Sequence, residues 1–126
     1  MVIGAKTYKS FLKFPDEVKA LFKGIKIIVL SDGLVAADSH EVVRKPEEAI
    51  GLLSKKGYQL IAIGGGTGTF NAFLDGDLVS DIYFNISPMI TGKGGILASR
   101  DDLNTKFKLV GCEVNGDYAQ LHLAKA

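Results

Sequence analysis

The sequence predicts an α/β fold: a mixed, mostly parallel sheet in three layers, with helices on both faces and an antiparallel hairpin at the C-terminal end. Three observations predict it. Short apolar runs alternate with segments of helical period. The helical segments open on proline followed by acids, or directly after glycine, and most close at a glycine. Two alternating apolar/polar segments flank Asn115-Gly116-Asp117, a hairpin signal. The chain has 126 residues, 47% of them hydrophobic and 23% charged, so a single domain over 1–126 with a packed core is expected.

The elements follow in order. Met1 to Ile3 is a short apolar strand ending at Gly4, and Lys6 to Leu12 is a short helix. Pro15-Asp16-Glu17 opens a second helix, since proline suits the first turn and acids suit the positive end. Val18, Leu21 and Phe22 share its apolar face, and Gly24 stops it. Ile25 to Leu30 is a β-branched strand ending at the turn Ser31-Asp32-Gly33. Leu34 to Val43 reads as irregular with a short strand at its end. Pro46-Glu47-Glu48 opens a helix with Ala49, Ile50, Leu52 and Leu53 inward, and Gly57 ends it. Tyr58 to Ile63 is a strand entering a glycine turn, Phe70 to Leu74 a helix, and Ile82 to Ile86 a strand. Phe107 to Glu113 and Tyr118 to Ala124 form the hairpin, with Tyr8, Phe11, Phe14 and Phe22 read as core.

Composition removes several function classes. A net charge of +1 leaves no electrostatic footprint for nucleic acid. No run approaches the roughly 18 apolar residues of a membrane span. Cys112 is the only cysteine, so no intrachain disulfide forms and the cytoplasm is the expected setting. It lies in an alternating segment and reads as a core thiol. His40 and His122 are too far apart in sequence to suggest a metal-ligand set, and no metal is expected. Asp75, Asp77 and Asp81 are best read as turn and cap acids, because Gly76 breaks any shared helical face.

The richest motif is Ile61-Ala62-Ile63-Gly64-Gly65-Gly66-Thr67-Gly68-Thr69. A strand runs into glycines and a helix follows. Glycines let backbone N–H groups approach a ligand without a Cβ in the way, and a helix start carries unpaired, partly positive N–H groups. This is an arrangement for an anion, most often phosphate. It matches neither the dinucleotide fingerprint nor the P-loop. On the glycines alone, a structural turn packed against a sheet explains the motif equally well.

Other pieces join it in order: Ile3-Gly4-Ala5-Lys6-Thr7-Tyr8, Ile28-Val29-Leu30-Ser31, Pro46-Glu47-Glu48-Ala49, Leu78-Val79-Ser80-Asp81-Ile82-Tyr83-Phe84 and Ile86-Ser87-Pro88-Met89-Ile90-Thr91-Gly92. With these spacings the chain resembles the dihydrofolate reductase-like superfamily, and within it the riboflavin-biosynthesis reductase branch. The resemblance runs from about Met1 to the end of the chain and implies NADPH lying across the strand ends. It implies cofactor phosphate at Gly4, Lys6 and Thr7, the adenosine 2′-phosphate at Ser31, and pyrophosphate on Gly64, Gly65, Gly66, Thr67 and Gly68. Taken singly, Lys6 is a surface cation and Ser31 a turn residue.

Three departures qualify the implication. The family places a strand and a helix ahead of the segment matching Met1 to Gly4, and they carry much of the substrate pocket. Without them an unpaired strand edge is expected, covered by a homodimer or by a second chain. Asp32 stands where the family often has a base, and an acid beside a ribose is the usual acceptor for the 2′-hydroxyl of NAD, so NADH is the alternative cofactor. Ile63 stands where the riboflavin reductases often carry glutamate, which leaves the substrate open. The reading is therefore an NAD(P)H-dependent reductase of a pyrimidine- or pteridine-type heterocycle, with no catalytic proton donor identified. Its alternative is a non-catalytic nucleotide-binding or scaffold domain.

Overall fold

Parallel pairing of the early apolar runs builds one sheet. The computed structural model describes residues 1–33 and 40–126, so the part of the expected irregular stretch at 34–39 lies outside the described residues. In chain order the first elements are β1 (Val2–Gly4), α1 (Ala5–Leu12), α2 (Asp16–Ala20), β2 (Ile28–Leu30), β3 (Glu41–Val43), α3 (Pro46–Lys55) and β4 (Ile63–Gly65). The sheet order is β3-β2-β1-β4, with every neighbour pair parallel. α4 (Thr67–Asp75) follows and runs across the boundary between two compact units, Met1–Ala72 and Phe73–Ala126.

In the first unit the central strands are buried completely, as their continuous apolar runs require: Val2, Ile28 and Val29 have no exposed surface. Ala49 and Leu53 of α3 are buried, as is Tyr8 of α1, which packs with Ile3, Ile27 and Val29. The crossover from β1 to β2 runs one way along the sheet, and that from β3 to β4 runs the other. Right-handed crossovers then place α1 and α3 on opposite faces, giving three layers.

Some strands are shorter and later than the sequence suggests. β2 starts at Ile28 rather than Ile25, and β4 occupies Ile63–Gly65 rather than Tyr58–Ile63. The cause is the length of the shared partner. β1 offers only three residues, so pairing to β2 begins at Val2↔Ile28, and the Val2 N–H reaches the Ala62 carbonyl at 2.8 Å. Beyond that partner Leu60 is 91% exposed. α2 stops at Ala20, and turns carry the chain to Gly24, whose φ of 83° suits glycine. Phe14 stays exposed rather than joining the core, while Phe11 packs edge-on against Phe22 at 5.3 Å.

The second unit is an antiparallel sheet of β5 (Asp81–Ile86), β6 (Phe107–Asn115) and β7 (Tyr118–Lys125) in the order β5-β7-β6. Gly116, at φ 60°, makes the hairpin turn between β6 and β7. The register sorts the side chains by face. Ile82, Leu123 and Leu109 lie in one row, Phe84, Leu121 and Cys112 in the next, and Ile86, Ala119 and Val114 in the third. Cys112 is on this apolar face but is exposed, against the expectation of a core thiol, because β6 is the sheet's edge and none of the nine is fully buried. No helix among the described residues is long and apolar enough to cross a membrane.

Candidate functional site

All four strands of the first unit point their C-terminal ends the same way, so Gly4, Leu30, Val43 and Gly65 end along one edge of the sheet. The strand order reverses between β1 and β4, since β2 and β3 lie to one side of β1 and β4 to the other. Ligands of open α/β sheets bind in the crevice at such a switch point. A cavity of about 810 Å³ opens there, lined by residues that follow each strand, among them Lys6, Ser31, Arg44 and Thr67. That volume lies within the range of about 300–1,000 Å³ usual for small-molecule and cofactor sites.

The cavity's floor is the start of two helices. α1 begins straight after Gly4 with no side-chain cap, and α4 begins at Thr67. Neither has an acid in its first turn, whereas α3 has Glu47 and Glu48 in its own. Each helix start carries roughly half a positive charge on its unpaired N–H groups. Thr69 lines the cavity and is only 6% exposed. Thr7 stands half-buried on the α1 side.

Close approach of the two helix starts depends on Gly4. A Cβ there would lie 2.5 Å from Thr69 Oγ1 and 3.7 Å from the Gly65 carbonyl oxygen. The glycines of the turn divide their roles. Gly64 faces away from the cavity, where a Cβ would meet Ile3 Cγ2 at 2.9 Å, so it permits packing of β4 on β1. Gly65 makes the turn with φ 114°, beside the Phe70 ring, and its peptide to Gly66 is cis. Gly66, Thr67 and Gly68 line the cavity. Of the ten residues singled out from sequence, Gly4, Lys6, Thr7, Ser31, Asp32, Gly66, Thr67 and Gly68 are brought together here, while Gly64 and Gly65 are set back behind them.

Among the described lining residues, two cations and one carboxylate can carry formal charge: Lys6, Arg44 and Asp32. Arg44 was not singled out from the sequence. Its signal is its position immediately after the β-branched pair Val42-Val43, at a strand end. Ser31 closes its own turn, accepting the Gly33 N–H at 3.2 Å.

The polar groups of the second unit hold one another. His122 Nε2 lies 2.8 Å from Asp81 Oδ1, the Ser80 hydroxyl donates to Asp81 Oδ2 at 2.8 Å, and Tyr83 stacks on His122 at 4.2 Å. The serine bonds the carboxylate rather than the imidazole, so this is no nucleophile–base pair. Hydrogen bonds from His122 and then Ser80 hold the Asp81 carboxyl below the usual carboxylate range. Asp77, at φ 56° in its turn, pairs with Lys125 at 2.8 Å, and Asp75 accepts the Ser99 hydroxyl. Among the described residues no group of His, Cys, Asp and Glu is arranged to hold a metal ion.

This combination of fold and cavity defines an α/β fold with a cavity at the carboxyl ends of a parallel sheet, where open α/β sheets take their ligands. No protein-family model and no curated protein matches the chain. Solved structures do match. A provisionally named riboflavin biosynthesis protein from Shewanella sp. PV-4 aligns with a TM-score of 0.81 at 21% identity, over 99% of this chain and 72% of its own. A pyrimidine reductase-like protein from Corynebacterium diphtheriae aligns with a TM-score of 0.75 at 15% identity, over 99% of this chain and 75% of its own. At these identities what is shared is the fold.

Proposed function

We propose that this chain binds a nicotinamide dinucleotide in the β1–β4 cavity and acts as a reductase of a pyrimidine- or pteridine-type heterocycle. One observation carries the reading: two acid-free helix starts, that of α1 without a side-chain cap, and two cations meet a cavity at the switch point of a parallel sheet. The fold likeness to a pyrimidine reductase-like protein supports the reaction class. The bound cofactor would supply the hydride, and the protein would supply position and electrostatics. The first N–H groups of α1 and α4 would hold the pyrophosphate, with Lys6 beside it and the hydroxyls of Thr7 and Thr67 within the same rim. Gly4, Gly66 and Gly68 would let the main chain come close.

A second reading, a nucleotide-binding scaffold without turnover, has its own support. Among the described residues, the lining includes no His, Glu or Cys that could give a proton to a heterocycle near neutral pH. Self-association belongs to the same proposal, supported by the apolar rows on one face of the second unit's sheet.

Calorimetric titration with NADPH and NADH, followed by an assay of nicotinamide oxidation with aminopyrimidine and dihydropteridine substrates, tests these readings. Saturable binding with turnover is the expected result. Binding without turnover selects the scaffold. Failure of the folded protein to bind either dinucleotide overturns both.

A further inference from the structure

We infer that the polar face of the second unit's sheet carries a binding site of its own, which stacks a planar heterocycle of guanine type on His122. One row of the sheet holds the place for it. The register sets Tyr83 of β5 opposite His122 of β7, and His122 opposite Gly111 of β6. The Tyr83 and His122 rings stack with centroids 4.2 Å apart and planes 12° apart. That separation is close to the ~4.8 Å spacing of neighbouring strands, so the stack runs across the strands and its third place lies over Gly111. Chain neighbours aside, a Cβ at Gly111 would meet only the His122 Cβ, at 3.9 Å. A glycine inside a strand weakens it, and it marks a bulge or the close approach of a ligand. The bulge falls on Val110, which the pairing skips between Leu109 and Gly111. Gly111 itself is paired and its φ is not positive, so neither the contacts nor the backbone demands glycine there. Its missing side chain leaves room beside the imidazole, whose side chain keeps 27% of its surface open.

The imidazole is fixed for this task. Its Nε2 lies 2.8 Å from Asp81 Oδ1, a carboxylate that can only accept, and the Ser80 hydroxyl holds the other oxygen of Asp81. The charges flanking Gly111 on the same face choose the ligand. The register puts Lys108, opposite Ala124, on one side of it and Glu113, opposite Gln120, on the other. Both are exposed, and neither has an ion-pair partner among the described residues. Gln120 gives its amide N–H to Asn85 at 2.9 Å, not to Glu113. Glu113 stands about 7 Å along the strand from Gly111, within reach of the edge of a stacked ring. Its two oxygens match two adjacent N–H donors. A guanine base presents such a pair, a ring N–H beside an exocyclic amino group, and Lys108 can donate to its carbonyl oxygen and ring nitrogen. Adenine instead turns a ring lone pair toward the carboxylate. Stacking on an aromatic ring suits any base, so the discrimination rests on Glu113. A net charge of +1 gives no footprint for a polymer, so the ligand is a free base or nucleoside. The site shares no residue with the β1–β4 cavity and stands without the dinucleotide reading.

The test is a set of NMR titrations of wild type, Gly111→Val and Glu113→Gln with guanosine and with adenosine, read at the ring signals of Tyr83 and His122. In wild type both rings are expected to shift saturably, with guanosine bound at least about tenfold more tightly than adenosine, the scale of one charge-assisted contact. Glu113→Gln should weaken guanosine by about tenfold and adenosine by less than about twofold. Valine suits a strand, so Gly111→Val should melt no lower than wild type while losing the shifts with both nucleosides. Rings that do not shift in wild type, or that shift unchanged in folded Gly111→Val, overturn the site. Equal affinity of wild type for the two nucleosides overturns the guanine-type assignment. Shifts confined to the first unit would belong to the dinucleotide cavity, and would overturn this site while leaving that reading standing.

Discussion

Gly4 is the residue on which the shape of the site turns. Thr69 Oγ1 occupies the space a side chain at Gly4 would need, 2.5 Å from where its Cβ would sit. Thr69 is short, β-branched and 6% exposed, so its hydroxyl has little freedom to move away. Gly4→Ala should therefore cost about 1–3 kcal/mol, the usual penalty for overpacking, and should weaken dinucleotide binding by separating the starts of α1 and α4. Thr69→Ala removes the clashing atom. Denaturant unfolding of the two single variants and of the double variant checks this, with the double expected to be clearly more stable than the sum of the singles predicts. Strict additivity would mean that the two residues do not meet as described. This contact could not be read from sequence, because sixty-five positions separate a glycine from a threonine that only the β1–β4 pairing joins.

At the scale of the element, the start of α4 separates binding from stability. Gly68 lies in its first turn and lines the cavity, and a side chain there would meet nothing within 4 Å. Residues other than proline that replace glycine inside a helix gain up to about 1 kcal/mol, and an acid in the first turn gains a little more from the dipole. Gly68→Asp should thus leave the melting temperature unchanged or raise it. The same carboxylate would stand where dinucleotide phosphate is proposed to lie, so affinity for NADPH should fall by about tenfold or more. Thermal melts beside calorimetric titration check both halves. A stable variant with unaltered affinity would remove α4 from the site. Gly64 and Gly65 are poorer places for this experiment, because a side chain would meet Ile3 at the first and require an unfavourable φ of 114° at the second.

Across the whole molecule, the order of strands and helices was legible because burial on both faces leaves continuous apolar runs, as in Ile28-Val29-Leu30, and because Pro46-Glu47-Glu48 and Asn115-Gly116-Asp117 mark their own geometry. Strand ends were not, since each depends on a partner: β2 and β4 could extend no further than the three residues of β1 allow. Most of the candidate site followed from strand-end glycines and hydroxyls. Arg44 did not, because its relevance comes from lying next to Ser31 across a strand pair rather than along the chain. Long-range charge pairing was likewise hidden, and it sets how each unit meets acid. In the first unit Glu41 on β3 lies 3.1 Å from Lys56 and 3.4 Å from Lys26, and these, Lys56 foremost, hold its carboxyl below the usual range. In the second, His122 foremost and Ser80 do the same for Asp81. A carboxyl whose folded pKa is depressed contributes stability that is present above its unfolded value, about 4, and is lost as pH falls through the folded one. Both units should therefore lose stability below about pH 4, each through its own carboxylate. Amide hydrogen exchange across a pH series should show Glu41→Gln flattening the acid loss around β2 and β3, and Asp81→Asn flattening it around β5 and β7. Both pairs are partly open to solvent, so near neutrality each substitution should lower the melting temperature by no more than a few degrees. An acid loss that survives Glu41→Gln undiminished in the first unit would show that its carboxylate is not held by the two lysines in solution.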